Sequence, residues 1–161
     1  QSWVTPGKTP DRERNIITSL DLDPSRMDLH HRKLQAKFAS MQENEVRYER
    51  IDCDDAEYLI VAYGSCARIC QKTIKLARQK GIKVGLLRPI TLFPYPTKII
   101  REMTGKIKGI LTVELSAGQM VEDVRLAADG KVKVAFHGRM GGTTPSPDEV
   151  LGVLEQQFLN S

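Results

Sequence analysis

The chain has 161 residues, 24 Lys+Arg against 20 Asp+Glu, a formal charge of +4 and 40% hydrophobic residues. That is one domain with a little left over, large enough to bury a core without disulfides or metals. No run approaches the roughly 18 apolar residues of a membrane span, no low-complexity segment appears, and residues 1–20 lack the apolar core of a secretory signal. The chain opens on Gln1, which points to a processed product or, in preference, a piece cut from a longer polypeptide.

Trp3, Pro6, Gly7 and Pro10 punctuate a charged opening, followed by Asn15-Ile16-Ile17-Thr18, so the first 23 residues read as an extended arm. Asp23 as cap and Pro24 in the first turn open a long helix. Leu34, Phe38 and Met41 give it one apolar stripe at i, i+4, i+7. It is polar elsewhere and fades before Ile51, so it is expected to lie against something outside this chain or along the following domain.

From residue 57 the pattern becomes strand–helix alternation. The apolar run 58–63 precedes a helix opened by Gly64-Ser65, carrying Ala67, Cys70, Ile74 and Ala77 and closed by Gly81. A second strand is read at 82–87. Pro94 and Pro96 lead into a helix with Ile99, Ile100 and Met103. A third strand at 109–114 follows, then a helix capped by Ser116 with Met120, Val121, Val124 and Ala128. A fourth strand is read at 131–136. Ser146-Pro147-Asp148-Glu149 then starts a last helix with Val150, Leu154 and Phe158 on its apolar face. This alternation predicts a mostly parallel sheet covered on both faces, with right-handed crossovers. Ligands of such sheets sit beyond the carboxyl ends of the strands, here Tyr63-Gly64-Ser65, Arg88-Pro89, Glu114-Leu115-Ser116 and His137-Gly138-Arg139.

Charge divides unevenly: residues 1–56 hold 9 Lys+Arg and 11 Asp+Glu, residues 57–161 hold 15 and 9. The excess (Lys72, Lys75, Arg78, Lys80, Lys98, Arg101, Lys106, Lys108) reads first as solvated helix faces and second as attraction for an anionic ligand or acidic partner. No basic run interleaves with aromatics, so nucleic acid is not an expected partner. Cys53, Cys66 and Cys70 are odd in number, and the last two stand at helical rather than metal-knuckle spacing. They read as buried thiols of a reducing cytoplasm, and His30, His31 and His137 complete no metal set.

Gly64-Ser65 is the best local anion site, because Gly allows close backbone approach beside helix N–H groups. A structural turn is the simpler reading, since neither the dinucleotide fingerprint nor the P-loop is complete. Arg88 is expected to pair with a carboxylate such as Glu114 or to reach a ligand or partner. Glu114 alone is not an acid–base pair. Gln119 is expected to cap or bridge backbone groups near a helix start, and His137 to be structural. Thr143 and Thr144 have no evident base. No catalytic residue and no metal ligand is assigned.

Three stretches nevertheless resemble a known family: Tyr63-Gly64-Ser65; Leu87-Arg88-Pro89-Ile90-Thr91-Leu92-Phe93-Pro94-Tyr95-Pro96; and Val113-Glu114-Leu115-Ser116-Ala117-Gly118-Gln119-Met120. They look like the C-terminal domain of the alpha-type chains of 2-oxoacid:ferredoxin oxidoreductases. Thr5-Pro6-Gly7-Lys8, the run Arg14 to Leu20 and Gly138-Arg139-Met140-Gly141-Gly142 most resemble the branched-chain branch, which acts on 2-ketoisovalerate (3-methyl-2-oxobutanoate). The resemblance implies a three-layer α/β domain similar to the transketolase C-terminal domain, with a mixed sheet of about five strands, one antiparallel. The fifth strand is expected at 51–56 or 12–18. The division is expected at 1–56 (arm plus long helix) and 57–161 (α/β domain).

Such enzymes decarboxylate a 2-oxo acid on thiamine diphosphate, pass electrons through iron–sulfur clusters to ferredoxin and release an acyl-CoA. The residues expected for thiamine diphosphate, Mg and clusters are absent here, so the resemblance implies an assembly domain that holds no cofactor and is inactive alone. Its partners would be other domains and subunits of the same cytoplasmic enzyme, with pairing of two such domains also open. Gly64, Ser65, Arg88, Glu114 and Gln119 are the family-matched positions, with interface or ligand-edge roles. Two alternatives stay open: the equivalent domain of a transketolase or 2-oxoacid dehydrogenase beta chain, and a stand-alone anion- or nucleotide-binding module.

Overall fold

The computed structural model describes Gly7, Pro10, Asp11, Glu13, Arg14, Ile16 and residues 18–160. Trp3, Pro6, Asn15, Ile17 and most of the Thr5–Lys8 stretch lie outside the described residues. The chain divides into two units between Ala39 and Ser40.

Helix α1 (Pro24–Asn44) starts as its sequence dictates. The Asp23 carboxylate accepts the backbone N–H groups of Ser25 (2.9 Å) and Arg26 (3.2 Å), and Pro24 has no N–H to satisfy. Leu34, Phe38 and Met41 are half-buried, and no α1 residue is fully buried.

The unit from Ser40 onward is a three-layer α/β domain. Its strands are β1 (Tyr48–Ile51), β2 (Tyr58–Ala62), β3 (Val84–Pro89), β4 (Gly109–Glu114) and β5 (Lys133–Gly138), in the order β1-β3-β2-β4-β5. The last four are parallel, and β1 runs antiparallel along β3. The fifth strand thus overlaps the expected 51–56 segment only at Ile51. It is four residues long and mostly exposed, so it carries no apolar pattern to read. Helices α2 (Gly64–Gln79) and α5 (Pro147–Phe158) cover one face; α3 (Thr97–Met103) and α4 (Met120–Ala128) cover the other.

Alternation along β2 explains both cores. Tyr58, Ile60 and Ala62 pack with Cys70, Ile74 and Leu154. Leu59 and Val61 pack with Ile100, Ile110 and Val124. All five β2 residues are buried, as are all six of β4, as expected of parallel strands covered twice. The α5 start is a full capping box: Ser146 Oγ accepts from the Glu149 N–H at 3.1 Å and Glu149 Oε2 from the Ser146 N–H at 3.4 Å. Buried Thr73 donates from Oγ1 to the Pro147 carbonyl at 3.2 Å, tying α2 to α5.

Two strand windows shift toward their C-termini. β3 covers 84–89 rather than 82–87, so Arg88 and Pro89 lie inside it, opposite Glu49 and Tyr48. Ile82 instead donates its N–H to the Ala77 carbonyl (3.0 Å) and packs beside the core. β5 covers 133–138 rather than 131–136.

Candidate functional site

The five sequence-selected positions separate into two places. Gly64, Ser65 and Arg88 line a cleft of 440 Å³ together with Ala67, Arg68 and Gln71. Glu114 and Gln119 build the start of α4 instead.

The cleft lies where parallel-sheet geometry places ligands, beyond the carboxyl ends of β2 and β3. Gly64 turns the chain at φ +56°, a left-handed conformation costly for residues with a Cβ, and open space surrounds the position its Cβ would take. Tyr63 caps α2 without a side-chain hydrogen bond, and the first turn carries no acidic residue. The positive end of the helix is therefore not neutralised locally. Arg68 has no ion-pair partner among the described residues. Arg88 Nη1 donates to Glu49 Oε2 at 3.0 Å, with both side chains partly exposed. The cleft is polar and net positive, and it holds no nucleophile–base pair.

Arg88 does pair with a carboxylate, as the sequence suggests, but with Glu49 rather than Glu114, because β2 lies between the strands of Arg88 and Glu114 and the Glu114 carboxylate is fully engaged. It is 1% exposed. Glu114 Oε2 accepts the backbone N–H groups of Gln119 (3.2 Å) and Met120 (2.9 Å), and Oε1 that of Val121 (2.9 Å). Ser116 Oγ donates to the same carboxylate (3.1 Å) and accepts the Gly118 N–H (3.1 Å). Glu114, six residues upstream, therefore does the capping expected of Ser116. Gln119 occupies the cap position, but its side chain makes no cap bond.

His137 is half-buried, with Nε2 2.9 Å from Glu149 Oε1 though not aligned as a hydrogen bond. Glu149 also receives Arg139 Nη2 at 2.6 Å. Partial burial pushes the Glu149 carboxyl up, but Arg139 and the Ser146 N–H outweigh it and hold it below the usual range. The three cysteines are free and buried. Burial pushes the Cys70 thiol up to about 12, with Cys66 adding to the shift. Burial also raises the Cys53 and Cys66 thiols. Among the described residues no group of three or more His, Cys, Asp or Glu is placed to hold a metal.

Sequence reasoning missed Arg68, Gln71 and Glu49 as neighbours of the cleft. The first two had a signal, because Gly64, Arg68 and Gln71 stand at i, i+4, i+7 on one helix face.

Residues 56–150 match the model of the pyruvate:ferredoxin oxidoreductase core domain II. The chain belongs to that family. It is 43% identical over 150 residues, 93% of its length, to the ketoisovalerate oxidoreductase subunit VorB of Methanothermobacter thermautotrophicus. It is 34% identical over 98 residues, 61% of its length and 26% of the relative's, to the 2-oxoglutarate synthase subunit KorA of Methanothermobacter marburgensis. The chain spans 42% of the VorB relative. Among solved structures, the 2-oxoglutarate:ferredoxin oxidoreductase from Magnetococcus marinus matches with a TM-score of 0.72 at 21% identity, over 85% of this chain and 24% of that one. A split-gene transketolase matches with a TM-score of 0.60 at 16% identity, over 71% of this chain and 41% of that one. Both likenesses are of fold, and they agree with the transketolase-like architecture that the family resemblance implies. Among the described residues no helix is long and apolar enough to cross a membrane.

Proposed function

We propose that the chain is the C-terminal assembly domain of a thiamine-diphosphate-dependent 2-oxoacid:ferredoxin oxidoreductase acting on branched-chain substrates. The enzyme would convert 2-ketoisovalerate to an acyl-CoA and CO2, reducing ferredoxin. The observation that carries this reading is the 43% identity to a ketoisovalerate oxidoreductase subunit over 93% of the chain. In this reading the chain is inactive alone, and thiamine diphosphate, Mg and the iron–sulfur clusters belong to other parts of a cytoplasmic complex. Ferredoxin and CoA serve the whole complex, and two such domains pair within it. Residues 57–161 form the family domain, supported by a family match that begins at residue 56. Residues 1–56 link it to the rest, with β1 closing the sheet edge.

The test is oxygen-free reconstitution. Dye reduction dependent on 2-ketoisovalerate and CoA is expected from the full-length subunit with its partners, none from this chain alone, and none after residues 1–161 are deleted. Turnover that survives the deletion sinks the proposal.

Gly64, Ser65 and Arg88, with Arg68, are proposed as the contact this domain offers to an anionic ligand or an acidic neighbour; the uncapped, net-positive α2 start supports that role. Arg68→Glu and Arg88→Glu in the assembled enzyme separate the two cases. A ligand edge raises KM for CoA about tenfold with assembly intact. An interface lowers the assembled fraction and leaves KM alone. If neither moves, the cleft has no such role. Glu114 and Gln119 are proposed to act only by shaping the α4 start.

A further inference from the structure

We draw no further inference here: the strongest candidate, the exposed basic face of α2 formed by Arg68, Lys72 and Lys75 beside the cleft lined by Gly64 and Arg88, only widens the contact already proposed for that cleft, and nothing in the structure shows what covers it.

Discussion

Replacing Glu114 with alanine is expected to lower the unfolding free energy by about 3–5 kcal/mol, the range for stripping one member from a buried charged network. The carboxylate is 1% exposed and accepts three backbone N–H groups and one hydroxyl. Each charge-assisted bond of this kind contributes about 1.5–3 kcal/mol, and their sum is offset by the cost of desolvating the ion. Alanine removes the acceptor and leaves the donors buried, so the loss approaches the larger figure. The charge also faces the positive end of α4, where no other side chain caps. Glu114→Gln keeps the volume and one acceptor oxygen but turns an NH2 toward N–H donors, so an intermediate loss is expected. Urea unfolding gives both numbers, and hydrogen exchange at Gln119, Met120 and Val121 should speed up in step with them. A loss below about 1 kcal/mol for the alanine variant would show that water replaces the carboxylate, ending its role as the α4 cap.

Why Glu114 escaped sequence reading is instructive. A capping signal is sought within a few residues of the helix start, and Ser116 and Gln119 are the candidates there. Here the cap reaches across a strand end, from six residues upstream, and only the fold brings it there. The strands most legible are those buried on both faces: β2 is a continuous apolar run and β4 carries Ile110, Leu111 and Val113, a pattern that a doubly covered parallel sheet makes favourable. β1 was not legible, because an exposed edge strand of four residues needs no apolar alternation. The α2 cleft was half legible. Gly64-Ser65 announced a turn, and Arg88 a charge at a strand end. Their meeting depends on β2 and β3 being neighbours, a matter of strand order that local pattern does not encode.

Gly85 carries the other large effect, one of close approach rather than charge. It sits within β3, paired with Leu59, and the β1–β2 turn crosses directly over it. A Cβ built there falls 2.8 Å from the Asp52 carbonyl oxygen, 2.9 Å from Cys53 Cα and 3.0 Å from Cys53 Sγ, and two of those atoms are backbone. The turn cannot retreat cheaply. Arg78 Nη2 donates to the Asp52 carbonyl (2.6 Å), Nε to the Val84 carbonyl (2.9 Å), and the guanidinium grips the Asp55 carboxylate at 2.7 Å. The Cys53 thiol donates to the Leu86 carbonyl at 3.3 Å. Gly85→Ala must therefore either bend the middle of β3 or loosen the Arg78 clasp. Overpacking a rigid core costs about 1–3 kcal/mol, and partial loss of the clasp brings the expected total to about 3 kcal/mol. Gly85→Val, with two more methyl groups, should not fold. Adding Cys53→Ala to Gly85→Ala relieves only the sulfur contact, so less than half the loss should return. Full rescue would mean that the thiol, not the backbone of the turn, requires glycine at this position.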